Sequence, residues 1–476
     1  MRLCRHAVRL YALRDAVLLK SIVTDMVVLC PELDFTPRTF LKGAYNPMKR
    51  RDFLVSLGAA GAALTLPFDL SACGSSPTTS NGKVTINWWH ISTADPIKTD
   101  FQNWANQYMQ QHKNVTIKIT PIDNADFKTK LQATLQANNP PDIFQSWGGG
   151  VLFQYAQAGQ VQDITSSLQG TTWGSSFSQS ALNVYGQNGK YYGVPWDMGA
   201  VGFWYNPALF SQAGISTPPA TWDDLLTAIQ KLKAAKITPI AIGEKDQWPG
   251  HFWYAYLCTR LGGKAAFEKA YTRKGSFADP SFVQAGKMLQ DLTRLQPFEN
   301  GFLGTAYTDE SAMMGNGKAA MELMGQFGPG NDSSSAADKK GVPLSFFPFP
   351  SIDGAADNNG VFGGGNGFAI GKNAPPEAID FVRFLTSTSN ESVLAQQSVA
   401  IPPITAASGA VTDQMKPVVE TIQKADYYQL YYDQYLPQAL ANTILAQIQA
   451  LFALSTTPEA AAQAIEASAA TVLQPS

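Results

Sequence analysis

The sequence predicts an α/β protein of two lobes, and three observations carry that expectation. The stretch Val84–Trp147 reads strand, helix, strand, helix, strand, an order that builds a parallel sheet with helices on its faces. The chain is 476 residues long, and the roughly 400 that follow Ala72 suffice for two domains. The stretch Gly193–Phe210 reads as a strand that crosses from one domain to the other. It opens at the tight Gly193–Pro195 step, continues through Trp196 and Asp197 into the β-favouring run Ala200–Tyr205, and ends where Asn206-Pro207 starts the next element.

The first 47 residues are rich in Arg and Leu without a clean period and are set aside as an upstream extension, with Met48 as the expected start. A basic trio, Lys49, Arg50 and Arg51, then precedes the apolar run Phe53–Leu66, which is too short to span a bilayer. Residues 48–72 are accordingly expected to be a signal peptide. Arg50-Arg51-Asp-Phe-Leu54 is similar to a twin-arginine export signal. Leu70-Ser-Ala-Cys73 resembles a bacterial lipobox, which makes Cys73 the expected lipidation site. Residues 73–82 hold no apolar side chain to bury beyond that cysteine and read as a flexible tether. A protein exported and lipid-anchored on the outer face of the cytoplasmic membrane is therefore expected, touching the membrane through its lipid only.

In the first lobe, Val84–Trp88 alternates as a strand and runs into Trp89-His90. Phe101, Trp104 and Tyr108 share one helical face; Val115–Ile119 alternates again; Phe127, Leu131 and Leu135 line a second helix that Asn138-Asn-Pro-Pro141 stops. Asp142–Trp147 is the third strand. In such sheets ligands sit beyond the carboxyl ends of the strands, where Trp89, His90, Gln145 and Trp147 fall. Farther on, Thr221-Trp-Asp-Asp224 has the form of a capping box before Leu225, Ile229 and Leu232. Ile237–Ile242 and Ala319–Met324 read as strands, Leu344–Pro350 as a second crossing, Gly363–Ile370 as a returning strand and Ile401–Ile404 as a third crossing. The tail is helical from Gln438 and again from Pro458. The expected lobes are residues 83–194 with 351–401, and residues 195–350 with 402–476.

Composition excludes several functions. The whole chain carries a formal charge of −2; residues 1–72 hold 10 Lys and Arg and 6 Asp and Glu, which leaves 25 basic against 31 acidic residues. No basic stripe remains for nucleic acid. Beyond Cys73 the sole cysteine is Cys258, and the histidines there, His90, His112 and His251, do not cluster at metal-ligand spacing. No Gly-x-Ser-x-Gly elbow, phosphate loop or His-Glu-x-x-His motif occurs. Neither a metal nor a cofactor is expected. Charged residues are only 15% of the chain, and abundant amides and hydroxyls suit a neutral, hydroxyl-rich ligand.

The lipobox, Trp88-Trp89-His90, Pro141-Asp142-Ile143, Gly193-Val-Pro-Trp-Asp197, Thr221-Trp222-Asp223, Gly317-Lys-Ala-Ala-Met321 and Gly363-Gly-Gly-Asn-Gly-Phe-Ala-Ile370 occur in one order along the chain. Together they resemble an extracellular solute-binding protein of a bacterial ABC sugar importer, the broad family that includes maltose-binding protein. The resemblance implies a periplasmic-binding-protein fold, with hinge-linked lobes around a ligand cleft. It implies a monomeric, non-enzymatic receptor that binds a neutral mono- or oligosaccharide and delivers it to an ABC permease. It also implies that the segments ending near Trp89, Trp147, Trp196-Asp197, Trp248, Gln326-Phe327 and Gly364–Asn366 face the cleft. Trp196 and Trp248 then serve as stacking platforms, Asp197 as a charge-assisted acceptor, and Gln145, Gln326 and Asn366 as further polar contacts. The alternatives are a secreted carbohydrate-active enzyme, which needs two carboxylates flanking the scissile bond, and a receptor for a non-sugar solute.

Overall fold

The computed structural model describes residues 82–473. The expected extension, signal peptide, Cys73 and most of the tether lie outside the described residues. Twelve strands matter for the site. In chain order they are β1 (Val84–His90), β2 (Val115–Pro121), β3 (Ile143–Ser146), β4 (Gly193–Pro195), β5 (Gly199–Ala200) and β6 (Gly202–Tyr205). They continue with β7 (Thr238–Ile240), β8 (Ala319–Met324), β9 (Ser345–Phe347), β10 (Val361–Gly364), β11 (Gly367–Ile370) and β12 (Tyr428–Leu430).

The first lobe is built on a five-stranded sheet in the order β2-β1-β3-β11-β4. Its first three strands are parallel, as the β-α-β-α-β order requires, with Trp88 opposite both Ile119 and Ile143. β11 joins antiparallel, pairing Gly367 with Ser146 on one side and Pro195 on the other. Alternation along β1 sends Ile86, Trp88 and His90 to one face, into a core with Phe101, Phe368 and Phe381. Trp89 points to the other face, beside Phe127, Leu131 and Phe144.

The second lobe carries a four-stranded sheet, β9-β6-β8-β7, and the largest core, in which Phe203, Trp204, Trp253, Phe347 and Phe349 are buried. The helix Trp222–Ala234 starts on the expected capping box: Thr221 Oγ1 accepts from Asp224 N at 3.1 Å and Asp224 Oδ2 accepts from Thr221 N at 3.0 Å. A small third sheet, β12-β10-β5, lies where the chain passes between the lobes.

Two sequence expectations change here. Leu344–Pro350 does not cross: Ser345–Phe347 is the edge strand of the second sheet, held by Phe203 stacked on Phe347 at 4.8 Å. The expected single strand Gly363–Ile370 is two strands in two sheets, and the crossing is the step Gly365-Asn366 between them. Its backbone passes so close to its neighbour that a Cβ on Gly365 would lie 2.1 Å from the Asp197 carbonyl oxygen. The chain thus changes lobe at Trp196–Met198, at Gly365-Asn366 and around Ile401, which pairs with Met198. Ile352, Val361 and Phe362 pack in the second core, whereas Ile404 and Ala407 pack in the first. No helix among the described residues is long and apolar enough to cross a membrane.

Candidate functional site

A cavity of about 300 Å³ opens between the lobes, beyond the carboxyl ends of β1 and β3 on one side and of β8 on the other. The first lobe contributes the loop Ile91–Ile97, Asp123, Lys128, Trp147 and Trp196. The second contributes Asp246, Trp248, His251, Tyr307, Phe327 and Asn331, and the tail adds Tyr431, Asp433 and Gln434. A cavity at a domain interface, apolar with a few convergent polar groups, has the character of a small-molecule site. The lobes also touch at its margin: Ser334 Oγ donates to the Asp95 carbonyl at 2.7 Å, and Lys128 Nζ pairs with Asp433 Oδ2 at 2.7 Å.

Seven of the eleven residues singled out in the sequence line this cavity: Trp147, Trp196, Trp248, Gln326, Phe327, Gly364 and Asn366. Trp248 opens the helical stretch Trp248–Tyr271, which is broken at Gly263, and stands with its ring 4.6 Å from Tyr307 and 6.1 Å from Phe327. Trp147 faces it from the first lobe, edge-on to Phe127 at 5.9 Å, with the Lys128 ammonium 5.2 Å from its ring centroid. Trp196 is only 5% exposed; its ring is packed against Phe101 and Phe368 and gives the cavity an edge rather than an open face.

The other four stand behind the wall. His90 follows the inward alternation of β1 and lies between Trp88 at 4.8 Å and Phe101 at 5.1 Å, where burial drives its pKa down to about 4 and keeps it neutral. Trp89 points to the opposite face of the sheet, among apolar neighbours. Gln145 is buried and donates from Nε2 to Asn366 Oδ1 at 2.8 Å. Asp197, expected as an acceptor for ligand, is buried and already accepts three hydrogen bonds within the protein. Oδ2 accepts from Gln326 Nε2 at 2.5 Å and from Asn366 Nδ2 at 2.9 Å, and Oδ1 accepts from the Ile401 amide at 3.1 Å. The carboxylate therefore ties together the three crossings and, through Gln145 and Gln326, the ends of strands in both lobes. Burial raises its pKa to about 7 against the pull of those donors.

Sequence reasoning missed Lys128, Tyr307, Asn331, Tyr431 and Asp433, and quoted His251 without giving it a role. No local pattern marks the Lys128–Asp433 pair, whose members are 305 residues apart. The tyrosine-rich stretch before Gln438 was the available signal, but it reads equally well as packing. Burial raises the pKa of Asp433, but the Lys128 ammonium outweighs it and holds the group below the usual carboxylate range. Behind Tyr307 and Asn331, Glu322, Asp332 and Glu310 are sealed in the second lobe. Desolvation, reinforced for Asp332 and Glu310 by neighbouring carboxylates, pushes all three upward, Glu322 to about 8. Among the described residues no group of side chains has the makings of a metal site.

Comparison with known proteins agrees with this architecture. Residues 94–392 match the family described as bacterial extracellular solute-binding protein. An uncharacterised ABC transporter extracellular-binding protein of Pyrococcus horikoshii is 29% identical over 318 residues, which are 63% of this chain and 70% of that one. The multiple sugar-binding protein of Streptococcus mutans is 24% identical over 354 residues, 70% of this chain and 77% of that one. A solved structure from work on xylan utilization by the thermophile Caldanaerobius polysaccharolyticus superposes with a TM-score of 0.76 at 28% identity, covering 80% of this chain and 99% of its own. Maltose-bound MalE3 of Thermotoga maritima, at 18% identity, shares the fold with a TM-score of 0.69, covering 82% of this chain and 100% of its own. With more than half of its length matched to the family and a two-lobed fold shared with solved members, the chain belongs to the bacterial extracellular solute-binding proteins.

Proposed function

We propose that the chain binds a neutral mono- or oligosaccharide in the interlobe cavity, outside the cytoplasmic membrane, and delivers it to an ABC permease. The observation that carries this reading is the placement of aromatic rings on both sides of one cavity, Trp147 and Trp196 on the first lobe and Trp248 and Phe327 on the second. Sugar C–H faces stack on such rings, while amides and hydroxyls between them meet the ring hydroxyls. The sugars named for its relatives, among them diacetylchitobiose and melibiose, raffinose and stachyose, support the same class. Trp147, Trp248, Phe327 and the edge of Trp196 serve as contacts, Gln326, Asn366 and Gly364 as wall. Asp197, Gln145, His90 and Trp89 support the hinge and sheet rather than the ligand.

Catalysis is not part of this reading. Glycoside hydrolysis needs a carboxylic acid of raised pKa at the scissile bond. The raised carboxyls Asp197, Glu322, Asp332 and Glu310 stand behind the wall, and Asp433 is held low beside Lys128. The first lobe is taken as residues 83–196 with 366–407, the second as 198–364 with the tail. A monomer held at the membrane by lipid on Cys73 completes the proposal. Calorimetry of the purified chain against raffinose, xylotriose, maltotriose and diacetylchitobiose tests it, with chromatography of the incubated sugars. Saturable binding of at least one sugar recovered intact is expected; no binding across neutral saccharides, or turnover, overturns it.

A further inference from the structure

At the floor of the cavity the described residues leave two hydrogen-bond acceptors facing each other with no hydrogen between them. Asp433 and His251 both line the cavity, and they are 4% and 0% exposed. The His251 Nδ1 lies 2.6 Å from the Trp248 carbonyl oxygen. A carbonyl can only accept, so Nδ1 carries the ring proton. Burial pushes the ring toward its neutral form, against the attraction of Asp433, and this leaves Nε2 as a lone-pair acceptor. Nε2 points at Asp433 Oδ1 across 3.7 Å, and neither atom finds a partner among the described residues. Gln434 Oε1, on the next residue, is likewise buried and unpartnered. Unsatisfied acceptors in a dry site are costly, and a ligand that brings hydrogens relieves that cost.

The second carboxylate oxygen of Asp433 settles the charge such a ligand should carry. Oδ2 is 2.7 Å from Lys128 Nζ, which reaches across from the opposite lobe and stands over Trp147. The carboxylate is thereby already neutralised, and an added ammonium would face Lys128. A uronic-acid unit carries hydroxyls too, but its carboxylate stands beside them and brings a second negative charge, with nothing to donate, toward Asp433 Oδ1 and the His251 lone pair. A pair of neighbouring neutral hydroxyls fits both.

We propose that Asp433 and His251, with Lys128 braced on the far oxygen, form a donor-reading subsite that accepts vicinal hydroxyls of a neutral sugar and rejects uronic-acid units. The subsite rests on the sugar-binding reading above and deepens it: it names which saccharides the cleft admits. Because Lys128 and Asp433 come from opposite lobes, the same pair forms as the cleft closes, so a ligand that orders Asp433 also favours closure.

Calorimetry of the purified chain with neutral trisaccharides, trigalacturonate and a fully de-N-acetylated chitotriose distinguishes the outcomes. The neutral trisaccharide that binds should do so at least tenfold more tightly than trigalacturonate, and more tightly than the triamine. Asp433→Asn should weaken neutral-sugar binding about tenfold and narrow the neutral-to-uronate ratio, whereas a merely structural lesion would weaken both ligands alike. If that variant does not fold, the comparison on the unaltered protein still decides. Equal binding of trigalacturonate, tighter binding of the triamine, or an unchanged ratio in Asp433→Asn overturns the subsite while leaving sugar binding intact. No binding by any neutral saccharide overturns the functional reading beneath it as well.

Discussion

Asp197 shows how far a residue's role depends on what reaches it. An aspartate after tryptophan at a domain crossing reads as a ligand acceptor, yet here Gln326, Asn366 and the Ile401 amide all donate to it. Glu391 lies close enough for its pKa to be raised first by burial and then by Asp197. Replacing the carboxylate with a methyl group strands three buried donors. Asp197→Ala should therefore destabilise the protein by about 2–4 kcal/mol, a loss typical of breaking a buried network, read as a lower urea midpoint without change in slope. Trp248 behaves differently, because it closes one side of the cavity rather than a core. Trp248→Ala should cost about 2 kcal/mol of ligand binding, roughly thirtyfold in Kd, from the lost apolar contact. Calorimetry gives the Kd, and the melting temperature should fall far less than for Asp197→Ala.

At the scale of the element, the segment Val361–Ile370 is instructive. As sequence it is a continuous run of small and β-favouring residues, and nothing in its periodicity announces that β10 and β11 belong to different sheets. The division is made at Gly365-Asn366, where Gly365 passes so close to the Asp197 carbonyl that a side chain on it would not fit. Gly365→Ala should force the crossing apart and destabilise the fold by about 1–3 kcal/mol, the usual effect of overpacking, visible as a lower melting temperature. The helices were more legible. The face formed by Phe101, Trp104 and Tyr108 is buried as its spacing predicts, and the capping box at Thr221 forms with both of its hydrogen bonds. Thr221→Ala should cost about 1 kcal/mol for its lost cap, also read by thermal melting.

On the scale of the whole molecule, two lobes share three crossings and meet across the cleft through Ser334–Asp95 and Lys128–Asp433. Such an arrangement can open and close about the crossings, and ligand shifts it toward closure by its differential affinity for the closed form. Buried acids give the molecule a pH dependence as well. Asp197 and Glu322 hold their protons to about pH 7 and 8 in the folded chain, whereas an unfolded carboxyl releases its proton near pH 4. Their contribution is therefore complete below the unfolded pKa and lost as pH rises through the folded values, because the native state must then bury charge. The melting temperature should fall by several degrees between pH 6 and pH 8 in scanning calorimetry. In Glu322→Gln the fall should be smaller.

Local rules determined what lies within reach of a few neighbours: the alternation of β1 and β2, the apolar faces of the helices, the cap at Thr221, and the aromatic-rich segments that end beside the cleft. Those features follow from backbone geometry and side-chain period, and short stretches of chain express them fully. Only tertiary structure decided which groups turn toward the ligand and which brace the hinge. Trp147 and Trp248 face one cavity from opposite lobes, His90 and Trp89 leave the same strand end on opposite faces of the sheet, and Lys128 meets Asp433 across 305 residues. No periodicity encodes such a meeting, because it is set by how two cores stack about shared crossings, and a one-residue difference along a strand sends a side chain into a different core.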